Sequence, residues 1–155
     1  MKDFSTSIKS ERQLALLAKK IAKGLKGGEV IGLTGGLGAG KTTFVRYLVK
    51  ALAPKKNILV QSPTFGLIHQ YATRPPIAHF DLYRLPEKAV LETLETTGFR
   101  DFLDGKWLVL MEWSDRLPPG AVRFDGEVHF GFSKEGSRRE VRGAFSNCKK
   151  VNKNK

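Results

Sequence analysis

The sequence predicts an α/β fold, and three observations predict it. The first is the stretch Gly35-Gly36-Leu37-Gly38-Ala39-Gly40-Lys41-Thr42-Thr43, which fits G-x-x-x-x-G-K-[ST] with Gly35, Gly40, Lys41 and Thr42 at the fixed positions. It follows Val30-Ile31-Gly32-Leu33-Thr34, a short apolar run rich in β-branched residues. It precedes residues 44–52, which are apolar at 44, 45, 48, 49 and 52, a helical spacing. The second observation is the run Trp107-Leu108-Val109-Leu110-Met111-Glu112, unbroken apolar residues capped by a carboxylate, the pattern of a central parallel strand buried on both faces. The third is a closing antiparallel hairpin. Val128, Phe130 and Phe132 alternate with Glu127, His129 and Gly131, and residues 138–145 return after a turn at 133–137.

Each residue type in the loop has a chemical reason. Glycines let successive backbone N–H groups turn inward into a concave anion nest without Cβ clashes. The helix that starts at the end of the loop adds unpaired N–H groups and its positive dipole end. Lys41 can reach the β- and γ-phosphates of a nucleotide, and Thr42 can offer its hydroxyl to Mg²⁺.

The remaining elements follow in chain order. Ser10-Glu11-Arg12-Gln13 has the form of a capping box at a helix start. Leu14, Leu17, Ala18, Ile21, Ala22 and Leu25 then make one apolar stripe, and Gly27-Gly28 closes the helix, which is expected to pack on the sheet. Pro54 stops the helix after the loop. Asn57-Ile58-Leu59-Val60-Gln61 is expected as a strand, followed by Ser62-Pro63-Thr64-Phe65 and a further strand candidate at 66–71. Thr73-Arg74-Pro75-Pro76 is a turn. Ile77-Ala78-His79-Phe80-Asp81 is an apolar strand ending in a carboxylate. Pro86 fits the first turn of a helix through Leu91 and Leu94, ended by Gly98, with another short turn at 99–103. Leu117-Pro118-Pro119-Gly120 breaks the chain before the hairpin.

Length and composition bound the class. The 155 residues suit one domain, expected over 1–146, with a basic tail at 147–155 that reads as disordered. Hydrophobic content of 41% and charged content of 27% are those of an ordinary globular protein. No stretch has the apolar length of a membrane span, no signal peptide is expected, and the single Cys148 excludes an internal disulfide framework, so the expected location is cytoplasmic. The net charge is +12, and Lys149, Lys150, Lys153 and Lys155 supply part of it from the tail. A basic body suits nucleotides, RNA or an acidic protein partner, or is simply a solvated surface.

A loop of this kind needs a carboxylate at a strand end to hold Mg²⁺ and its waters. Glu112 and Asp81 are the candidates, one binding directly and the other through water. Asp81 also reads as an N-cap or as an ion-pair partner of Arg84. The hydroxyls of Ser62-Pro63-Thr64 can sense a γ-phosphate, or the segment is a plain proline turn. His69, His79 and His129 stand alone, outside metal-ligand spacing, and read as packing or solvent-facing residues. Trp113 is either core or contact surface.

Residues 35–43, Ser62-Pro63-Thr64-Phe65, His79-Phe80-Asp81-Leu82-Tyr83-Arg84-Leu85 and Glu112-Trp113, in this order and spacing, closely resemble the TsaE (also called YjeE) family. That family is the bacterial ATPase required for threonylcarbamoyladenosine (t6A) formation at position 37 of ANN-decoding tRNAs. The resemblance covers roughly residues 8 to 145, and the H-F-D-L-Y-R-L string is far more specific than the loop. It implies a P-loop NTPase fold with a mixed central sheet flanked by helices, ATP and Mg²⁺ as cofactors, and association with the TsaD–TsaB pair, through which tRNA is met indirectly. It also implies that ATP hydrolysis resets the complex between modification cycles. Carried over residue by residue, Lys41, Asp81, Glu112 and Thr64 are the catalytic candidates. Gly38, Ala39, Gly40, Lys41, Thr42 and Thr43 fall on the nucleotide loop, Glu11 where the family's first helix nears the base, and Thr42 with Glu112 on the metal. Ser62 matches the switch-like segment beside Thr64. The family loop usually reads G-D-L-G-A-G-K-T-T, and Gly36 here replaces the aspartate.

The alternative reading is a small-molecule P-loop kinase, but only Arg84, Arg100 and Arg116 lie near candidate loops and no lid-length segment is present. A non-enzymatic nucleotide-gated binding module is a third. No switch glutamine or arginine finger is evident, Gln61 apart, so the isolated chain is expected to hydrolyse ATP slowly until a partner docks, with Trp113, Asp115 and Arg116 expected on the docking face.

Overall fold

The computed structural model describes residues 3–133 and 138–145. The chain runs β1 (Phe4–Ile8), α1 (Glu11–Ala22), β2 (Val30–Gly35), α2 (Lys41–Leu52), β3 (Ile68–Tyr71), β4 (Ile77–Asp81), α3 (Val90–Glu95), β5 (Leu108–Glu112), β6 (Gly126–Phe132) and β7 (Arg139–Phe145). Short 3₁₀ turns lie at Glu87–Ala89, Phe99–Leu103 and Ser114–Arg116.

The strands form one seven-stranded sheet in the order β1-β7-β6-β2-β5-β4-β3. Its centre, β6-β2-β5-β4, is parallel, and antiparallel strands finish both sides. The side-chain alternation of a strand divides the core into two layers. Ile31, Leu33, Leu108, Leu110, Val128 and Phe130 face α1 and α2, where Leu14, Ala18, Phe44, Val45 and Leu48 are buried. Val30, Ala78, Phe80, Val109 and Met111 face the other side, against Leu82, Leu94 and Phe99. Helices therefore cover both faces of the parallel centre, which is why β5 reads as a continuous apolar run.

Helix α1 begins with half of the capping box in place: Ser10 Oγ accepts from Gln13 N at 3.3 Å, while Gln13 Oε1 accepts from Lys9 N, one residue before the cap, at 2.6 Å. It lies along α2 and shares the core layer beneath it. The segment after Pro86 starts as a 3₁₀ turn and becomes α-helical only from Val90 to Glu95.

Two elements differ from the sequence reading. Residues 57–61 form no strand. Their alternation is real, since Asn57 and Leu59 are exposed while Val60 is buried and Ile58 packs on the core. The edge of β4 is taken by β3, which ends the sheet, and residues 57–61 do not extend the ladder beyond it. Strand β1 was not expected from the sequence, and it pairs antiparallel with β7 from Phe4↔Gly143 to Ile8↔Arg139. Phe4, Thr6 and Ile8 alternate inward, but the intervening serines mask the signal. The expected hairpin turn at 133–137 falls mainly, and the basic tail at 147–155 wholly, outside the described residues.

Candidate functional site

The loop at 35–43 joins the C-terminal end of β2 to the N-terminus of α2. Gly35 has φ of 128° and a Cβ there would stand 2.1 Å from the Phe130 carbonyl oxygen, so no other residue fits. Gly40, with φ of 110°, precedes α2 without any side-chain cap. The first N–H groups of α2 thus face the loop's concavity, where an anion can take them. Ala39 is fully buried, and its N–H bonds the Gly36 carbonyl at 3.2 Å, so its side chain serves packing.

Lys41 is 4% exposed and lies over its own loop. Its Nζ donates to Gly35 O at 2.6 Å and Gly36 O at 2.9 Å, and sits 3.8 Å from the centre of the Trp113 ring. Burial pushes the ammonium below its ordinary pKa, and the negative charges of Glu112, Asp81 and Asp115 oppose that shift. Trp113 takes φ of 60°, and its ring packs at a tilt of 34° on Tyr83 with centroids 4.9 Å apart. It is half-buried and serves as the floor under Lys41.

Parallel pairing of β4 with β5 sets Asp81 directly beside Glu112. Both side chains are nearly fully buried, on the face that carries α2. Thr42 Oγ1 donates to Glu112 Oε1 at 2.8 Å, with Oε2 at 3.0 Å. His79 Nε2 meets Glu112 Oε1 at 2.9 Å. Asp81 is held differently. Ser62 Oγ and Thr64 Oγ1, 2.5 Å apart, both donate to Asp81 Oδ2, the latter at 3.1 Å. Asp81 Oδ1 accepts from Tyr83 N at 2.9 Å. Neither plain reading of Asp81 holds: its bond to Tyr83 N closes a turn that opens no helix, and Arg84 is turned elsewhere, 4.3 Å over the Phe65 ring.

These groups line one pocket of about 400 Å³ that includes Lys41, Thr42, Thr43, Gly38, Ser62, Thr64, Asp81, Arg84 and Glu112. The expected loop, switch and carboxylate residues thus converge, apart from Ala39 and Glu11. Glu11 borders a second pocket of about 310 Å³ with Ser10, Phe132, Arg138 and Arg139. Arg139 Nη1 would be 3.6 Å from a Cβ on Gly40, so this pocket abuts the start of α2. Glu11 Oε2 accepts from Tyr47 on α2 at 2.6 Å. Thr42 Oγ1 and the Glu112 carboxylate are hard oxygen donors, the kind that suits Mg²⁺. Among the described residues no group of three or more His, Cys, Asp or Glu could hold a metal alone.

His79 and Tyr71 are the site residues that sequence reasoning passed over. His79 is fully buried, Tyr71 nearly so, and Tyr71 Oη lies 3.2 Å from His79 Nδ1. The signal was the period-two spacing that puts His79 and Asp81 on one face. Of the expected docking residues, Arg116 is occupied by the carbonyls of Leu82, Tyr83 and Leu85. Asp115 is exposed.

The sheet order and the loop at the head of α2 define a P-loop α/β protein. The family model for "Threonylcarbamoyl adenosine biosynthesis protein TsaE" matches residues 8–141. The chain belongs to the TsaE family. The tRNA threonylcarbamoyladenosine biosynthesis protein TsaE of Aquifex aeolicus is 40% identical over 122 residues, covering 78% of this chain and 84% of the relative. That of Bacillus subtilis is 30% identical over 152 residues, covering 91% and 92%. The crystal structure of Bacillus subtilis YdiB matches with a TM-score of 0.70 and 25% identity, over 94% of this chain and 88% of that one.

Proposed function

We propose that this chain is the ATP-binding and ATP-hydrolysing subunit required for t6A modification of tRNA position 37, acting in the cytoplasm with the TsaD–TsaB pair. Residues 1–146 are its ATPase domain, and 147–155 a basic tail. The observation that carries the nucleotide chemistry is the contact of Thr42 with buried Glu112 beneath an uncapped helix N-terminus. The relatives' names support the pathway.

The loop N–H groups and the start of α2 would take the phosphates. Lys41 would exchange two loop carbonyls for phosphate oxygens, an exchange of neutral acceptors for charged ones. Thr42 and Glu112 would hold Mg²⁺, directly or through water, and Thr42 can keep donating its hydrogen to Glu112 while its lone pair faces the cation. A bound Mg²⁺ supplies charge neutralisation for the developing phosphoryl negative charge. Asp81 and Thr64, on the wall beside Glu112, would orient the attacking water once Thr64 leaves Asp81. Glu11 and the exposed Phe132 would border the base, in the pocket next to Gly40.

A small-molecule kinase is not favoured, because the matching family is a t6A biosynthesis family. No helix among the described residues is long and apolar enough to cross a membrane. The test is phosphate release and phosphate transfer, measured with and without purified TsaD and TsaB. Phosphate released to water supports this reading. Transfer to an acceptor returns the kinase, and neither outcome leaves only nucleotide-gated binding.

A further inference from the structure

Glu112 is 2% exposed and lacks a lysine or arginine ion pair among the described residues. A buried carboxylate with so few donors has to be oriented by those it has. One is Thr42, which belongs to the nucleotide loop. The other is His79, completely buried on β4, whose Nε2 stands 2.9 Å from Glu112 Oε1. A carboxylate only accepts, so the ring carries its proton on Nε2. Nδ1 lies 3.2 Å from Tyr71 Oη, and that hydroxyl also reaches the Gln61 carbonyl at 3.3 Å. His69 Nδ1 reaches the same carbonyl at 3.2 Å. Gln61 immediately precedes Ser62-Pro63-Thr64.

We propose that His79 is the positioning residue of Glu112: its Nε2–H fixes the carboxylate against Thr42, and Tyr71, donating its hydroxyl proton to Nδ1, fixes the ring. This rests on the reading of Glu112 as the magnesium carboxylate. The register explains why β4 supplies the histidine. Asp81 pairs with Glu112, so His79 sits two residues back on the same face and reaches Glu112 diagonally across the parallel pair. Partners of this kind set a ligand's orientation and charge, and removing one costs about 10–100-fold in metal affinity or activity.

The experiment is calorimetric binding of a non-hydrolysable ATP analogue across a Mg²⁺ titration and in EDTA, for the wild type, His79→Phe and His79→Gln. His79→Phe keeps the ring volume and removes the donor. It is expected to raise the half-saturating Mg²⁺ concentration about 10–100-fold while EDTA affinity stays within about twofold. His79→Gln places an amide N–H near Nε2 and is expected to recover most of the loss. Unchanged Mg²⁺ dependence in His79→Phe overturns the proposal. So does an equal loss with and without Mg²⁺, or a His79→Gln no better than His79→Phe, because either marks packing alone. A wild type whose binding ignores Mg²⁺ removes the underlying reading and the proposal with it. Should His79→Phe fail to fold, ¹⁵N-histidine NMR of the metal-free wild type decides. A His79 ring protonated at Nε2 supports the proposal, and one protonated at Nδ1 alone overturns it.

Discussion

Two carboxylates end neighbouring strands as register partners, and they are held in opposite ways. Glu112 is fastened to the rigid parts of the molecule: the first turn of α2 through Thr42, and the buried β4 histidine. Asp81 is fastened to a segment outside any helix or strand, through Ser62 and Thr64, and to the turn at Tyr83. Burial is nearly equal, at 2% and 3% exposed, so burial does not separate them. What separates them is where the partner sits: a helix turn and a buried strand residue for Glu112, a segment outside regular structure for Asp81. A carboxylate gripped by the loop helix suits a permanent cation ligand. One gripped by a hydroxyl pair on an irregular segment suits a group that is released when that segment is drawn to phosphate.

Glu112→Gln is the largest way to break the comparison. It keeps the shape and removes the charge next to Thr42. Hydrolysis is expected to fall on the order of 100-fold or more, at least the upper range for a lost metal-site partner. Analogue binding without Mg²⁺ stays near wild type. Turnover within twofold of wild type would transfer the metal role to Asp81.

Lys41→Ala comes next, because it leaves both carboxylates and removes the phosphate charge partner. A lost charge-assisted contact is worth roughly 1.5–3 kcal/mol, or about ten- to hundred-fold in ATP affinity. Wild-type-like affinity by calorimetry would sink the P-loop assignment.

Asp81→Asn sharpens the contrast. Its Mg²⁺-dependent binding is expected to stay close to wild type, while hydrolysis falls by about tenfold, the lower range for a supporting group. A Mg²⁺ affinity as damaged as in Glu112→Gln would make the two carboxylates equivalent. Thr64→Val is the smallest change. It removes one hydrogen bond to Asp81 Oδ2 and leaves those of Ser62 and Tyr83 N, so urea denaturation should show a loss of about 0.5–1.5 kcal/mol.

The half of the site built from local sequence was legible, and the half built by register was not. Gly35, Gly40, Lys41 and Thr42 are a contiguous strand–loop–helix unit, with Gly35 ending β2 and Lys41 and Thr42 opening α2. Asp81 and Glu112 were visible as strand ends, but their adjacency depends on β4 pairing with β5 and not with β2. No local pattern encodes that choice; the need of a phosphate loop for a strand-end carboxylate brought both forward as candidates, but not their pairing. His79 was missed for the same reason, since its partner is 33 residues away in sequence. The misread strand at 57–61 shows the converse error. Alternation there seats Ile58 and Val60 in the core without a ladder, because period two reports which side chains face inward and not whether the backbone finds a neighbour. Arg116, an expected docking residue, turned out to bind three carbonyls after β4, a contact that folding creates.

On the function proposed above, Glu112 is preformed against Thr42 while Asp81 is still latched to Ser62 and Thr64, so the isolated chain binds ATP and waits. Within the pocket Arg84 is the lining arginine, and its guanidinium stands over Phe65. A cation supplied by a partner raises phosphoryl transfer by roughly 10³–10⁵-fold in other systems. The direct measurement is steady-state phosphate release by the pure protein, and by the same protein titrated with the TsaD–TsaB pair. The expected result is slow release alone and a saturable rise with the pair that disappears in Glu112→Gln. A fast isolated enzyme, indifferent to the pair, would show that every catalytic group already lies in place within the chain and would contradict the latched state of Asp81.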